Sequence, residues 1–384
     1  MDGVSKFEAV FSAMLGEYYS SAANLAPAHI ERREFGFGDL QRKISYRHYG
    51  FRTKEALKSY LCENKPPFVS YSMAEYKDPI ARPIENKGFL GAELVFDLDA
   101  NDLHLSCAPA HSSSWVCGNC LSAVKDETIR LVEDFLIPDF GFSADFIHIN
   151  FSGNRGYHVH VTDSRVFPLD GNARKEISAY ISGFGLDAAN FFPTLGLAGQ
   201  RLIGPRPTDG GWRGKLARHA IEALNRGEDA LVGLGIEPRI ARKLVKNKTE
   251  IIFGIGSGNW DKINIPKKGE VWTKLLSGLA INTGDSIDRN VTNDIRHLIR
   301  LPNSIHGDTG LIAKEISING LQSFDPRKDA VAFQKGEMKV KTGAVPQFEI
   351  QDMTFGPYNT GQTISLPTSA AIYIIRKGLA EPAF

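Results

Sequence analysis

The chain has 384 residues, is 42% hydrophobic and 23% charged, and carries a formal net charge of +1. That is the composition of an ordinary soluble globular protein, too long for one small core and suited to a large domain with an insertion or to two or three domains. The near-neutral balance argues against a strongly basic protein that coats nucleic acid, although a local basic groove beside a carboxylate site remains compatible with it; no apolar run approaches the roughly 20 residues of a membrane helix.

Phe7, Val10, Phe11, Met14 and Leu15 recur at helical spacing and predict a helix over 5–19, amphipathic rather than a signal peptide. Residues 33–52 alternate loosely around Gly36, Gly38 and Gly50, which predicts short strands and turns. Thr53 is placed to N-cap a helix reaching Leu61. Residues 90–99, LGAELVFDLD, read as a core strand. A loop rich in Ser, Cys and Gly covers 107–120, and a helix follows from Ser122 to Ile137, stopped by Pro138. Two strands, 145–151 and 157–162, flank Ser-Gly-Asn-Arg-Gly.

From 172 to 283 the pattern is helical: Ile177, Tyr180 and Ile181 share a face, as do Leu216, Ala220, Ile221 and Leu224, and Pro238 opens a helix carrying Ile240 and Leu244. Residues 201–250 hold eleven Lys/Arg against six Asp/Glu, which reads as a solvated helical surface or as one facing nucleic acid. A short helix over 293–301, ended by Pro302, and a strand over 311–318 return the chain to mixed character. The pattern predicts an α/β core built from 1–171 and 284–384, interrupted by a helical insertion over 172–283.

Three segments carry chemistry. Asp97 and Asp99, two apart on a strand, project from one face while Leu94, Phe96 and Leu98 fill the other. Such paired carboxylates repel unless a cation lies between them, although a lone Asp-x-Asp also serves in turns and caps. Ser152-Gly-Asn-Arg-Gly-Tyr-His158 joins a hydroxyl, Arg155 and an imidazole around a glycine-bracketed turn, a set suited to phosphate, with His160 on the same strand face as His158. Asp288 to Gly310 supplies Arg296 and Arg300 at helical spacing, then His306 in a glycine-containing loop. Separately, Cys107, His111, Cys117 and Cys120 form a Cys3His set for a closed structural zinc site within 104–120, with His104 as the alternative to His111. Cysteines clustered in this way, without a secretion signal, point to metal in a reducing compartment, and Cys62 stands alone.

In order along 30–310, these blocks resemble the small subunit of archaeal and eukaryotic DNA primases, closer to the archaeal branch. The matching residues are Arg33-Glu-Phe-Gly-Phe37, Tyr46-Arg-His-Tyr-Gly-Phe51, Gly91 to Asp99, the cysteine cluster, Ser152 to His158, and Arg300-Leu-Pro-Asn-Ser-Ile-His306-Gly. The resemblance implies an α+β mixed-sheet catalytic core with a helical insertion and a small zinc-binding motif. It implies Asp97, Asp99 and Asp288 as ligands of catalytic Mg2+ or Mn2+, with Asp288 preferred over Asp285 and Asp294. It implies Ser152, Arg155 and His158 as a phosphate-binding turn, Arg300 and His306 as nucleotide contacts, and Arg47 as a basic residue lining the same site.

Two departures stand out. Asn154 occupies a position where many relatives carry a second arginine, and the stretch before Tyr71 lacks the acidic residue that eukaryotic members place near the sugar. The implied activity is synthesis of short RNA, or DNA, primers on single-stranded DNA from NTP or dNTP by two-metal nucleotidyl transfer. The implied partner is a large subunit with an iron–sulfur cluster, for which this chain has no motif, and the implied location is the archaeal cytoplasm at the nucleoid. The competing readings are a repair or plasmid polymerase that only extends primers, disfavoured by the zinc cluster, and an inactive zinc-bearing nucleic-acid binder, disfavoured by three carboxylates facing phosphates.

Overall fold

The computed structural model describes residues 3–103, 105, 107, 115–193, 201–284 and 292–383. The chain divides into two compact units, one of Met1–Ile129, Ser143–Lys175 and Asp288–Phe384, the other of Arg130–Phe142 and Glu176–Ile287. Among the described residues no helix is long and apolar enough to cross a membrane.

In the first unit, α1 (Gly3–Ser21) buries Phe7, Phe11, Leu15 and Tyr19, one residue per turn along a single stripe, while Val10 stays exposed. Thr53 caps α2 (Lys54–Asn64), its hydroxyl accepting from the Ala56 N–H at 3.2 Å, and Leu57 and Leu61 form its buried side. The first sheet is built from β1 (Phe35–Gly38), β2 (Tyr46–Tyr49), β3 (Phe68–Ser72) and a late strand, Leu298–Arg300, in the order β2-β1-β3 followed by that strand. Strands β4 (Ala74–Tyr76) and β5 (Phe89–Ala92) pair beside it. The single strand expected over 90–99 is divided at Glu93, a buried carboxylate that leaves the ladder to meet Arg33 and His160.

The second sheet positions the site. It contains β6 (Leu94–Asp99), β7 (Ile147–Phe151), β8 (Gly156–Val161) and, after the late strand β9 (Leu298–Arg300), β10 (Glu315–Ile316), in the order β10-β7-β8-β6. Leu94, Phe96 and Leu98, Ile147, Ile149 and Phe151, and Tyr157, Val159 and Val161 are all buried on one face. The alternate residues Asp97, Asp99, His148, Asn150, His158 and His160 face the other way. Every ladder between the described strands is antiparallel, so the unit is α+β and the mixed sheet is not found.

Two expected elements differ. The helix over 293–301 is instead a turn followed by β9. Asp294 accepts from the Arg296 N–H at 3.0 Å, which closes the turn, and Leu298–Arg300 completes the sheet against Ser70–Ser72. Arg296 and Arg300 therefore share no helix face. Arg296 reaches Glu85 at 3.5 Å, and Arg300 is buried. Of the strand over 311–318 only Glu315–Ile316 joins a ladder, because Ser317 accepts from the Gly320 N–H and starts a helical turn. α3 (Gly118–Arg130) begins four residues earlier than Ser122, so Cys120 lies in its first turn, and the chain continues as a π-helical turn over Leu131–Leu136. α4 (Gly171–Ile181) follows β8. The C-terminal part adds β11 (Glu337–Thr342), β12 (Phe348–Ile350), β13 (Met353–Phe355), β14 (Thr363–Pro367) and β15 (Ala380–Pro382), with a helix, Thr368–Arg376, before β15.

The second unit is helical. Its helices are α5 (Gly211–Arg226), α6 (Glu228–Gly233), α7 (Pro238–Lys246, proline in its first turn), α8 (Lys248–Gly256) and α9 (Lys268–Gly284). Leu216, Ala220, Leu224, Leu244 and Ile255 are buried around Trp260 and Trp272, whose rings meet edge to face at 5.0 Å. Arg239, Arg242, Lys243 and Lys246 are exposed on α7, with Arg242 paired to Glu228 and Lys243 donating to the Asn264 carbonyl.

Candidate active site

Antiparallel register sets the first contacts. Asp97 lies opposite His158 and Asp99 opposite Gly156, and His158 in turn lies opposite Asn150. The His158 Nε2 is 3.6 Å from an Asp97 carboxylate oxygen. Arg155, just before β8, folds back so that its Nε and Nη2 donate to one Asp99 oxygen at 3.1 and 2.8 Å. Both carboxylates keep 29% of their side-chain surface exposed, enough for a ligand to reach them.

The turn between β7 and β8 is held by Ser152. Its Oγ accepts from the N–H groups of Asn154 at 3.3 Å and Gly156 at 3.2 Å, which leaves the hydroxyl hydrogen able to donate elsewhere. Gly153 has φ +84, and a Cβ there would stand 2.6 Å from the His306 Cβ. Only glycine allows so close an approach. Thr309 ties the two segments by donating its hydroxyl to the Gly153 carbonyl. The turn and the His306 loop, distant in sequence, thus form one wall.

His306 is buried, with its ring edge-on to Phe68 at 5.3 Å. Its Nδ1 accepts from the Asp308 N–H at 3.2 Å, which places the proton of the neutral ring on Nε2. Arg300 covers the same Phe68 ring at 4.9 Å and donates to the Val69 carbonyl at 3.3 Å. Burial, reinforced by Arg300 and Lys43, pushes the His306 pKa well below its usual value, and burial with His160 and Arg300 does the same to His158. Burial brings Arg300 down to about 10, which leaves it charged at neutral pH. The structure therefore gathers Asp97, Asp99, Ser152, Arg155, His158, Arg300 and His306, with two imidazoles that are neutral donors and acceptors rather than cations.

Arg47 is bound elsewhere on the first sheet. It donates to both oxygens of buried Glu34 at 2.9 and 3.3 Å and to the Arg296 carbonyl at 3.4 Å. Burial alone would raise the Glu34 carboxyl, but Arg47 and Lys87 together lower it. Asp288, its alternative Asp285, and both candidate zinc histidines, His111 and His104, lie outside the described residues.

Behind the polar face runs a network that the sequence did not announce. Arg33 donates to the carbonyls of Ser72 and Met73 and pairs with Glu93, which also meets the His160 Nδ1 at 2.8 Å. Burial would raise the Glu93 carboxyl, yet Arg33 and His160 hold it at about 2. A second unannounced residue is Lys377. Its Nζ donates to the Asn154 Oδ1 at 2.7 Å across a sequence separation of 223. A terminal lysine after an apolar helix carries no local signal of such a contact.

The three cysteines converge. Sγ of Cys120 lies 3.5 Å from that of Cys107 and 3.6 Å from that of Cys117, and all three lie within 4.8 Å of one another. Tetrahedral thiolates around one zinc ion stand about 3.8 Å apart, so the cluster could hold a metal. Burial, then the neighbouring thiols, push Cys120 up to about 12, a cost that a bound cation removes. Trp115 anchors this segment against Phe348 and Tyr373. Cys62 remains a separate free thiol.

Residues 96–318 match the family model described as DNA primase small subunit. Curated relatives carry the name DNA primase small subunit PriS. That of Methanococcoides burtonii is 35% identical across 95% of this chain and 96% of its own. That of Methanothrix thermoacetophila is also 35% identical, across 98% and 99%. The Halorubrum lacusprofundi protein is 31% identical across 96% of both. A likeness that runs nearly end to end, through the segments that build the carboxylate and histidine cluster, makes this chain a member of the DNA primase small subunit family.

Proposed function

We propose that this chain is the catalytic subunit of a DNA primase, which makes short RNA or DNA primers on single-stranded DNA from NTP or dNTP. The observation that carries the reading is the shared face of Asp97 and Asp99 beside Arg155 and His158, in a chain of this family. Two hard carboxylates beside a neutral imidazole suit Mg2+ or Mn2+, since the ring adds no competing charge. Asp97, Asp99 and Asp288 would hold two such ions, which supply activation of the attacking 3′-hydroxyl and neutralisation of the triphosphate.

The side chains do the positioning. Arg155 and Arg300 offset phosphate charge, the Ser152 hydroxyl and the His306 Nε2–H donate to phosphate oxygens, and His158 orients the Asp97 carboxylate. Arg47, which Glu34 holds on the first sheet, is the remaining basic residue that the family resemblance implies for nucleotide binding. Cys107, Cys117 and Cys120, with His111 as the fourth ligand, hold a structural Zn2+. Family membership supports a heterodimer with a large, iron–sulfur subunit and work on the archaeal chromosome.

The test is synthesis on single-stranded template without a primer, with and without the large subunit. Primer-independent products support the reading. Extension of supplied primers with no initiation under either condition assigns the chain to the primer-extending polymerases instead.

A further inference from the structure

Lys377 has no role in the function proposed above, yet it is only 8% exposed. It caps the C-terminus of the helix Thr368–Arg376, with its Nζ 5.7 Å from the Tyr373 ring centre. The ammonium is held by a neutral amide oxygen, that of Asn154, in the middle of the Ser152–Gly156 turn. The nearby carboxylates are engaged by arginines: Asp308 meets Arg376 at 3.8 Å and Asp99 meets Arg155 at 2.8 Å. Burying an ammonium without its own carboxylate is costly, and such a cost is relieved when an anion binds.

The charges that act on Lys377 are those of Arg155, Asp308, Asp99 and Lys43. Burial, then Arg155, bring its pKa down to about 8, so it retains most of its charge at neutral pH. An ammonium has three donors, and Asn154 takes one. Position 154 itself offers no cation, whereas Lys377 brings one to the same point of the turn.

We propose that Lys377 is a phosphate-binding residue, its ammonium tethered by Asn154 and placed beside Arg155 to take an oxygen of the incoming nucleotide's triphosphate. The proposal rests on reading this turn as the triphosphate site.

The test uses the full chain with its partner subunit. Lys377→Met keeps the stem that packs on Tyr373 but removes the charge, Lys377→Arg keeps a charge, and Asn154→Leu removes the tether. The readouts are KM for nucleotide on a primed template and competition by inorganic tripolyphosphate, with thermal melting as the check on folding. Lys377→Met should raise KM and weaken tripolyphosphate by about tenfold, the scale of one hydrogen bond to a charged group, and Lys377→Arg should recover most of the loss. A folded Lys377→Met protein that binds tripolyphosphate as the parent does overturns the proposal. If Lys377→Met does not fold, Asn154→Leu decides: weakened tripolyphosphate binding supports the tether, and parental binding overturns it. Asp97→Asn separates the two levels. If it abolishes incorporation while Lys377→Met binds normally, only the role of Lys377 fails; if it incorporates normally, the reading of the site fails with it.

Discussion

Gly153→Ala tests the joint between the phosphate turn and the His306 loop. At φ +84 an alanine pays the left-handed penalty of about 1–2 kcal/mol. Its Cβ would also stand 2.6 Å from that of His306, well inside contact distance. His306 cannot retreat easily, because its backbone N–H is bonded to Leu311 at 2.8 Å and its ring rests on Phe68. Overpacking of this kind adds about 1–3 kcal/mol, so denaturant unfolding should show a total loss of about 2–5 kcal/mol. The displaced turn should also raise KM for nucleotide and lower kcat. In a His306→Gly background the opposing Cβ is gone, and the cost of Gly153→Ala should fall to the backbone part alone. A loss below about 0.5 kcal/mol with parental kinetics, or an equal loss in both backgrounds, would refute this account of the joint.

The buried histidines set an acid limit. His306 is held well below the usual histidine value of 6.5, so under acid conditions the unfolded chain takes a proton that the folded chain refuses. Stability should therefore fall as pH drops below 6.5 toward the folded pKa, and His306→Gln should flatten that limb by up to about 1.4 kcal/mol per pH unit; parallel stability curves for parent and variant would contradict it. Metal analysis should find one zinc per chain, and Cys120→Ser should lose it and lower the melting temperature; a metal-free parent with an unchanged melt would count against the site. Glu93→Gln should destabilise the chain by about 3 kcal/mol, because the buried Arg33 is left with the longer contact to the Glu75 carboxylate at 3.4 Å, and a loss near zero would mean that the Arg33–Glu93–His160 network does not hold the polar face.

Much of this was legible in the sequence because the signals are local. The alternation from Leu94 to Asp99 specifies both the buried face and the carboxylate pair, Thr53 announces α2, and the cysteine spacing announces the thiol cluster, though not that the helix carrying Cys120 starts before Ser122. The segment Ile295–Arg300 misled because a short apolar run suits either periodicity. Its outcome as a strand depends on β3, some 231 residues earlier by the Arg300–Val69 contact. Glu93 and Lys377 were illegible for the same reason: their partners come from distant segments. The neutrality of His158 and His306 follows from burial, which no spacing reveals.

The central claim is that Asp97 and Asp99 form the centre at which nucleotides are joined. The most direct measurement is nucleotide incorporation on single-stranded template by Asp97→Ala and Asp99→Ala proteins, each checked for parental folding and zinc content. The account predicts loss of incorporation in both with fold and zinc intact, and near-parental synthesis by either folded variant would contradict it.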